Sequence, residues 1–447
     1  MTLHDRGGPV SALRALLVAL ATGSFFGYTI SATNSAMGPV GRQFSLTGLT
    51  SGIFVGALLV GALLGCAAAA RWAGRYAHRS VLVRAAVVAA SGCAVMAAAP
   101  VFPVLVGGRL VTGLALGVTT SLAPVVIAET APARRRGSMV TMYQLSLACA
   151  AVTALAVGTL LGPDGHWRAM LACNAVPALL QAAVVAVAVP RTAEGARTRS
   201  APAARSAAYG LVGTLRDPAL RRPVVVACGA ALMNACVGVG AVTYYSTFVF
   251  GVAGLDGPGQ AQRAALVVGT VNALSTVVGL WLIGRYGRRP LLSAGLAGMA
   301  VSLAVAAWGL WASASGATGL VTVAAVLVFV ACYAFSAGPI AWLLVSEVLP
   351  LRIRDRTAAT ATAMNWTANL VIALLFPLVV GDPGSPGRAS AAFGVFAVIT
   401  AGFLVFTRLC VPETGNRAPA SLEAGLTGGP ALRTLQPAAG SLRPPQE

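Results

Sequence analysis

Polar residues in this chain are gathered into short clusters, and between the clusters run apolar stretches of nearly constant length. Twelve such stretches can be read, near 11–31, 49–70, 82–100, 104–128, 141–162, 168–189, 223–250, 264–284, 290–312, 319–345, 357–381 and 389–411. A helix rises 1.5 Å per residue, so about 20 apolar residues cross the ~30 Å hydrocarbon core of a bilayer. Lipid offers no partner for backbone N–H and C=O groups, so a run of this length must satisfy them internally and reads as a helix. The pattern therefore predicts an all-α membrane protein with twelve transmembrane helices in two six-helix halves.

The polar clusters between the runs repeat. Glu129-Thr130-Ala131-Pro132-Ala133-Arg134-Arg135-Arg136 returns as Glu347-Val348-Leu349-Pro350-Leu351-Arg352-Ile353-Arg354, 218 residues on. Gly74-Arg75-Tyr76-Ala77-His78-Arg79 returns as Gly284-Arg285-Tyr286-Gly287-Arg288-Arg289, 210 residues on. Two copies of the same loops imply two copies of one membrane half, and transporters are commonly built this way with the substrate held between the repeats. The expected organisation is an N-terminal half over 1–189, a connecting loop over 190–222, a C-terminal half over 223–411 and a disordered tail over 412–447. Both the loop and the tail are rich in Ala, Pro and Ser, and neither has the apolar content for a core.

Composition agrees, and charge adds an orientation. With 57% hydrophobic and 10% charged residues, and a mean hydropathy of +0.80, the chain cannot present the polar surface of a soluble globule. The net charge of +19 invites a nucleic-acid reading, but every basic side chain apart from three histidines is Arg, and the arginines sit in short loops. Arg71, Arg75 and Arg79, then Arg134 to Arg136, seven from Arg191 to Arg222, Arg285, Arg288 and Arg289, and Arg352, Arg354 and Arg356 all follow even-numbered helices. The other side carries Arg42, Arg168, Arg263 and Arg388. By the positive-inside rule both termini face the cytoplasm of a multi-pass plasma-membrane protein. The first run follows a short basic segment as a secretory signal would, but it is longer than a signal core and no convincing cleavage site follows, so it is read as retained. The eight cysteines lie singly in apolar runs, without the spacing of a metal site or a disulfide framework, and are read as packing residues.

Several motifs resemble the sugar porter family of the major facilitator superfamily, over nearly the whole membrane region. Gly108-Arg109-Leu110-Val111-Thr112-Gly113-Leu114-Ala115-Leu116-Gly117 is similar to that family's helix 4 signature, and Tyr143-Gln144-Leu145 opens helix 5 as in the family. Trp167-Arg168 and Val176-Pro177-Ala178-Leu179-Leu180-Gln181 resemble its helix 6, and Tyr244-Tyr245-Ser246 its helix 7. The stretches Gly269 to Asn272, Gly284 to Pro290, Gly338-Pro339-Ile340-Ala341-Trp342, Asn365-Trp366-Thr367-Ala368-Asn369 and Val411-Pro412-Glu413-Thr414-Gly415 resemble the segments from helix 8 to the end of helix 12. The resemblance implies the major facilitator fold and transport by alternating access.

A polyol needs amides, which both donate and accept hydrogen bonds, and a flat aromatic surface for its apolar ring face. Gln144, Asn272, Trp342, Trp366 and Asn369 have that chemistry, and the resemblance places all five around a central cavity, with Asn234 on helix 7 beside them. For the asparagines, interhelical bonding is the competing role. Glu129 and Glu347, with Arg136 and Arg354 seven residues on and Arg75 and Arg285 in the repeated loops, are expected to form a cytoplasmic gate of charge-assisted bonds that locks the outward-open state. Ordinary interfacial charges are the alternative, which the duplicated spacing argues against. Gly113 and Gly117 let helix 4 approach a neighbour closely.

The chain also differs from the family pattern. Aligned on Tyr244-Tyr245-Ser246, the family's helix 7 glutamines fall on Asn234 and Ala235 and its later asparagine on Gly240. The acidic residue that several sugar porters carry in helix 10 corresponds to Ala334, and the motif after helix 6 is reduced to Pro190-Arg191. In both Gly-Arg-Tyr loops, Gly74 and Gly284 stand where an aspartate is usual. Proton symporters of the family carry a helix 1 aspartate close to the helix 4 arginine. Here Thr29 takes that place beside Arg109, and the twelve acids all lie at helix ends, in loops or in termini. An intramembrane titratable group is the usual seat of coupling, so facilitated diffusion is expected. A proton-coupled sugar symporter and an exporter of a less polar metabolite are the alternatives within transport, and a non-transporting sensor lies outside it. No nucleophile, base and metal constellation points to an enzyme, and no cofactor, metal or nucleic acid is expected. The partners expected are a small sugar or polyol and the lipid bilayer, with the protein a monomer.

Overall fold

Among the described residues fifteen helices account for the twelve spans, because three of the spans are broken along their length. The structure, a computed structural model, describes residues 9–72, 76–132, 136–162, 164–189, 217–252, 259–312, 319–350, 353–380 and 386–414. The N-terminal half holds α1 (Pro9–Phe44), α2 (Gly48–Trp72), α3 (His78–Ala97), α4 (Phe102–Thr130), α5 (Arg136–Leu161), α6 (Trp167–Ala172) and α7 (Ala175–Ala188). The C-terminal half holds α8 (Pro218–Cys236), α9 (Val239–Val252), α10 (Gln260–Arg285), α11 (Arg288–Ala312), α12 (Gly319–Phe335), α13 (Ala337–Val348), α14 (Arg354–Val380) and α15 (Pro386–Cys410). Twelve helical segments among the described residues are long and apolar enough to cross a membrane, and they match the twelve runs of the sequence. Most of the connecting loop and of the tail lies outside the described residues, although α8 begins at Pro218, within the segment read as loop.

The breaks have local causes. Pro177 follows the gap between α6 and α7, and Pro339 the gap at Ser336 between α12 and α13. A proline lacks the N–H that would reach back four residues, and its ring crowds that carbonyl, so the helix parts just upstream. Between α8 and α9 the chain turns at Gly238, whose φ of 92° a side chain rarely adopts. The first helix runs well past the expected 31, to Phe44. Its polar stretch Thr33-Asn34-Ser35 looks like a loop in hydropathy, but all three side chains are buried and bonded inside the protein: Thr33 to Arg109, Asn34 to Ser246, and Ser35 to the Ala154 carbonyl at 3.3 Å.

Small residues set the closest packing. A Cβ on Gly117 of α4 would overlap the Ala62 carbonyl of α2, and one on Gly113 the Leu58 carbonyl, so these helices touch backbone to backbone. With twelve spans, the first and last described residues, Pro9 and Thr414, lie at the same end of the bundle, here called the terminal end. Most of the contacts that join the halves among the described residues lie toward the opposite end. There α2 packs on α14, with Gly52 against Leu374, and α5 packs on α10, with Leu155 against Gly269. Asn34 Nδ2 of α1 donates to Ser246 Oγ of α9 at 2.5 Å, and within the C-terminal half the Tyr245 hydroxyl ties α9 to the Ala373 carbonyl of α14 at 2.6 Å.

Candidate functional site

In the C-terminal half, three amides form one chain. Asn234 of α8 donates through Nδ2 to the Tyr333 hydroxyl at 3.0 Å and faces the Ala337 and Gly338 carbonyls at 3.4 and 3.5 Å. Its Oδ1 accepts from Asn365 Nδ2 at 3.1 Å, and the same Asn365 nitrogen also donates to the Ala231 carbonyl at 2.9 Å. Asn369, one turn along α14, donates through Nδ2 to the Asn365 carbonyl at 3.0 Å and to its Oδ1 at 3.3 Å. Asn365 belongs to the Asn-Trp motif but was not singled out as a contact, and Tyr333 carried no motif at all. The spacing of four between Asn365 and Asn369, which puts them on one helix face, was the available signal.

Trp366, next to this chain, is 6% exposed and lies across the interface from Phe26 of α1, with ring centroids 6.1 Å apart and tilted by 44°. That pair brings the halves together at the middle of the bundle. Gln144 of α5 and Asn272 of α10 are half-buried, and their side chains form no hydrogen bond among the described residues, so both amides are unengaged. Trp342 of α13 is more exposed, at 37%. Of the six predicted contacts, Asn234 and Asn369 therefore share a network and Trp366 adjoins it, while Gln144, Asn272 and Trp342 make no side-chain hydrogen bond to the network or to one another among the described residues.

The N-terminal half holds a buried cation. Arg109 of α4 is 1% exposed; its Nε donates to the Phe54 carbonyl at 3.1 Å and its Nη2 to Thr33 Oγ1 at 2.8 Å, while the guanidinium carbon lies 4.4 Å from the Phe54 ring centroid. Among the described residues no carboxylate joins it. Thr29 bonds elsewhere, to the Phe25 carbonyl at 2.7 Å and to Asn174 Oδ1 at 3.1 Å. The hydroxyl that meets Arg109 is thus Thr33, one turn beyond the position expected, and Asn174 at the α6–α7 break is the residue that engages Thr29.

At the terminal end, each described charged pair closes on its own half. Glu129 approaches His78 Nδ1 at 3.5 Å, and Glu347 accepts from Arg288 Nη2 at 3.3 Å and from Thr414 Oγ1 at 2.6 Å. His78 and Arg288 occupy the same position in the repeated loop, so the two halves use equivalent residues. Glu413 caps the start of α11, accepting from the backbone N–H of Arg288 at 2.8 Å and of Arg289 at 3.2 Å. Arg285 stacks on Trp281, 4.0 Å above its ring centroid, and makes no bond to Glu347. Arg75 lies outside the described residues, as do the side chains of Arg136 and Arg354.

Comparison with known proteins bears directly on this architecture. The chain matches the family described as Sugar (and other) transporter over residues 15–194 and 193–424. The protein belongs to that family. Among its relatives is the galactose-proton symporter of Escherichia coli strain K12, 28% identical over 94% of this chain and 95% of the relative. A crystal structure of a D-xylose-proton symporter superposes with a TM-score of 0.76 at 24% identity, covering 91% of this chain and 99% of the other. The inward-open conformation of the xylose transporter XylE from E. coli gives 0.74 at 24% identity, over 92% and 98%.

This transporter is therefore a multi-pass membrane protein of the major facilitator fold. Family and fold account for the two halves, the repeated loops and the breaks within the spans together. In such proteins irregular backbone at membrane depth is confined to places buried in protein or lining a cavity. The breaks beside Asn174, Gly238 and Ser336 fit that rule, and two of them adjoin the amide chain.

Proposed function

We propose that this transporter carries a sugar or polyol across the plasma membrane by alternating access and facilitated diffusion, with both termini in the cytoplasm. The single observation that carries the uncoupled reading is Arg109. A guanidinium buried in the membrane is costly, and a titratable group beside it would be the natural seat of proton coupling. Here it is held by a hydroxyl, a carbonyl and an aromatic face, none of which titrates near neutral pH. The sugar reading is supported by family membership, by the relative named as a galactose-proton symporter, and by amides and indoles suited to a polyol. In this reading Gln144, Asn272 and Asn369 contact hydroxyls, Trp342 and Trp366 supply apolar faces, and Asn234 holds the amide chain in place.

The bundle is read as inward-facing, which is supported by the described cross-half contacts between α2 and α14, α5 and α10, and α1 and α9, all toward the end opposite the termini. Proton symport is the second reading, favoured by the names of the relatives, with Glu129 and Glu347 as its seats. The protein acts as a monomer in lipid, since each half completes the cavity of the other. The test is counterflow: purified protein in liposomes preloaded with unlabelled hexose, pentose or polyol should exchange it for labelled solute. Failure of every member of that panel to exchange would transfer the reading to export of a less polar metabolite.

A further inference from the structure

We propose that Asn369 reads the transported solute as a hydrogen-bond acceptor only, so that the solute must present a free hydroxyl there; this rests on the sugar reading above. The argument is one of direction. Asn234 Nδ2 faces two backbone carbonyls, which accept but never donate, so the amide nitrogen must point that way and Oδ1 must point to Asn365. Asn365 answers with its own nitrogen, which also reaches the Ala231 carbonyl, and its oxygen is left facing Asn369. Asn369 in turn spends Nδ2 on the two oxygens of Asn365. Three carboxamides thus run one way from fixed carbonyls, and the oxygen at the free end, Asn369 Oδ1, accepts no hydrogen bond among the described residues. Asn369 is half-buried, and that oxygen is not among the sealed polar atoms that lack a partner.

Gly240, in the first turn of α9, determines where this oxygen lies. A Cβ at Gly240 would stand 2.9 Å from Asn369 Oδ1, closer than carbon and oxygen tolerate, with the Tyr244 ring 3.7 Å away on the other side. Any side chain there pushes the carboxamide off α9. Gly240 is accordingly a positioning residue, and the chemistry it creates is specific. An isolated amide takes either a donor or an acceptor by flipping, but this one is locked by its neighbours. A hydroxyl hydrogen is taken, whereas an ether, carbonyl, carboxylate or fluorine at the same place opposes lone pair to lone pair.

The experiment uses the protein in liposomes with its best-transported sugar and the monodeoxy and monodeoxyfluoro analogues of that sugar. Fluorine is close to a hydroxyl in size and keeps lone pairs that accept weakly, but it cannot donate. At one ring position the deoxy analogue should raise KM by about tenfold, the loss of one hydrogen bond, and the deoxyfluoro analogue by at least as much. In Gly240→Ala and in Asn369→Ala the penalty at that position should vanish while those at other positions remain, an effect that general loosening of the fold would not produce. Should Gly240→Ala fail to accumulate, Asn369→Ala and the analogue series on the native protein decide. Fluorine restoring affinity at every position, or undiminished discrimination in the variants, would overturn the inference while leaving sugar transport standing. Absence of uptake of any sugar would instead remove the sugar reading, and this inference with it.

Discussion

Replacing Thr33 with valine removes one hydroxyl and almost nothing else, because the two side chains have nearly the same shape. Among the described residues that hydroxyl is the sole side-chain acceptor of Arg109, at 2.8 Å, in a site where the arginine is 1% exposed. Hydrogen bonds to charged groups are worth about 1.5–3 kcal/mol, and a buried donor left unmade adds its desolvation cost. Arg109 retains the Phe54 carbonyl at 3.1 Å and the ring face, so the loss is partial, and Thr33→Val should lower the unfolding free energy by about 2 kcal/mol. Thr29→Val is the control. It breaks bonds to Asn174 and to its own helix, both between neutral groups, and should cost about 1 kcal/mol. Equilibrium unfolding in detergent micelles, followed by tryptophan fluorescence, ranks the two. A Thr33→Val protein as stable as the native one, or a larger loss from Thr29→Val, would mean that the charge of Arg109 is held by something other than the groups described.

Gly117→Ala drives a methyl into the Ala62 carbonyl of α2 and should lower thermal stability by about 1–3 kcal/mol, the usual cost of overpacking; an unchanged melting profile would contradict backbone-to-backbone packing there. Asn34→Ala removes the α1–α9 bridge to Ser246 and should raise outer-face access of a cysteine placed near Ser246, whereas unaltered labelling would show that the bridge does not hold that end shut. Asn272→Ala should raise KM for the transported sugar by about threefold to tenfold, as the loss of one hydrogen bond does, with normal yield of folded protein. Equal KM values in variant and native protein would remove Asn272 from the site.

The twelve spans were legible because length and hydropathy alone define them. The breaks were less so, since a proline or glycine within an apolar run leaves mean hydropathy unchanged. Pro177 and Pro339 entered the sequence reading only as parts of family motifs and Gly238 not at all, although proline and glycine are the residue types that interrupt a helix. The length of α1 was hidden for the opposite reason: Thr33, Asn34 and Ser35 look like solvated polar residues until their buried partners on other helices are known. The same blindness to tertiary partners put Thr29 rather than Thr33 beside Arg109, a difference of one turn. It also passed over Phe26, whose meaning comes from Trp366 across the interface. At the terminal end, the repeat located Glu129 and Glu347, but the turn at Tyr286 and Gly287 carries Arg288, not Arg285, to the glutamate. Amide direction is a property of the assembled network and is not written in any single asparagine.

The central claim is that transport proceeds without a proton site in the membrane. Uptake of the transported sugar into proteoliposomes, measured with and without an imposed inward proton gradient, tests it most directly. The account predicts that internal sugar rises to the external concentration and stops there, at the same level with or without the gradient. Accumulation above the external level that collapses when the gradient is dissipated would contradict it and would make Glu129 and Glu347 the first carboxylates to replace.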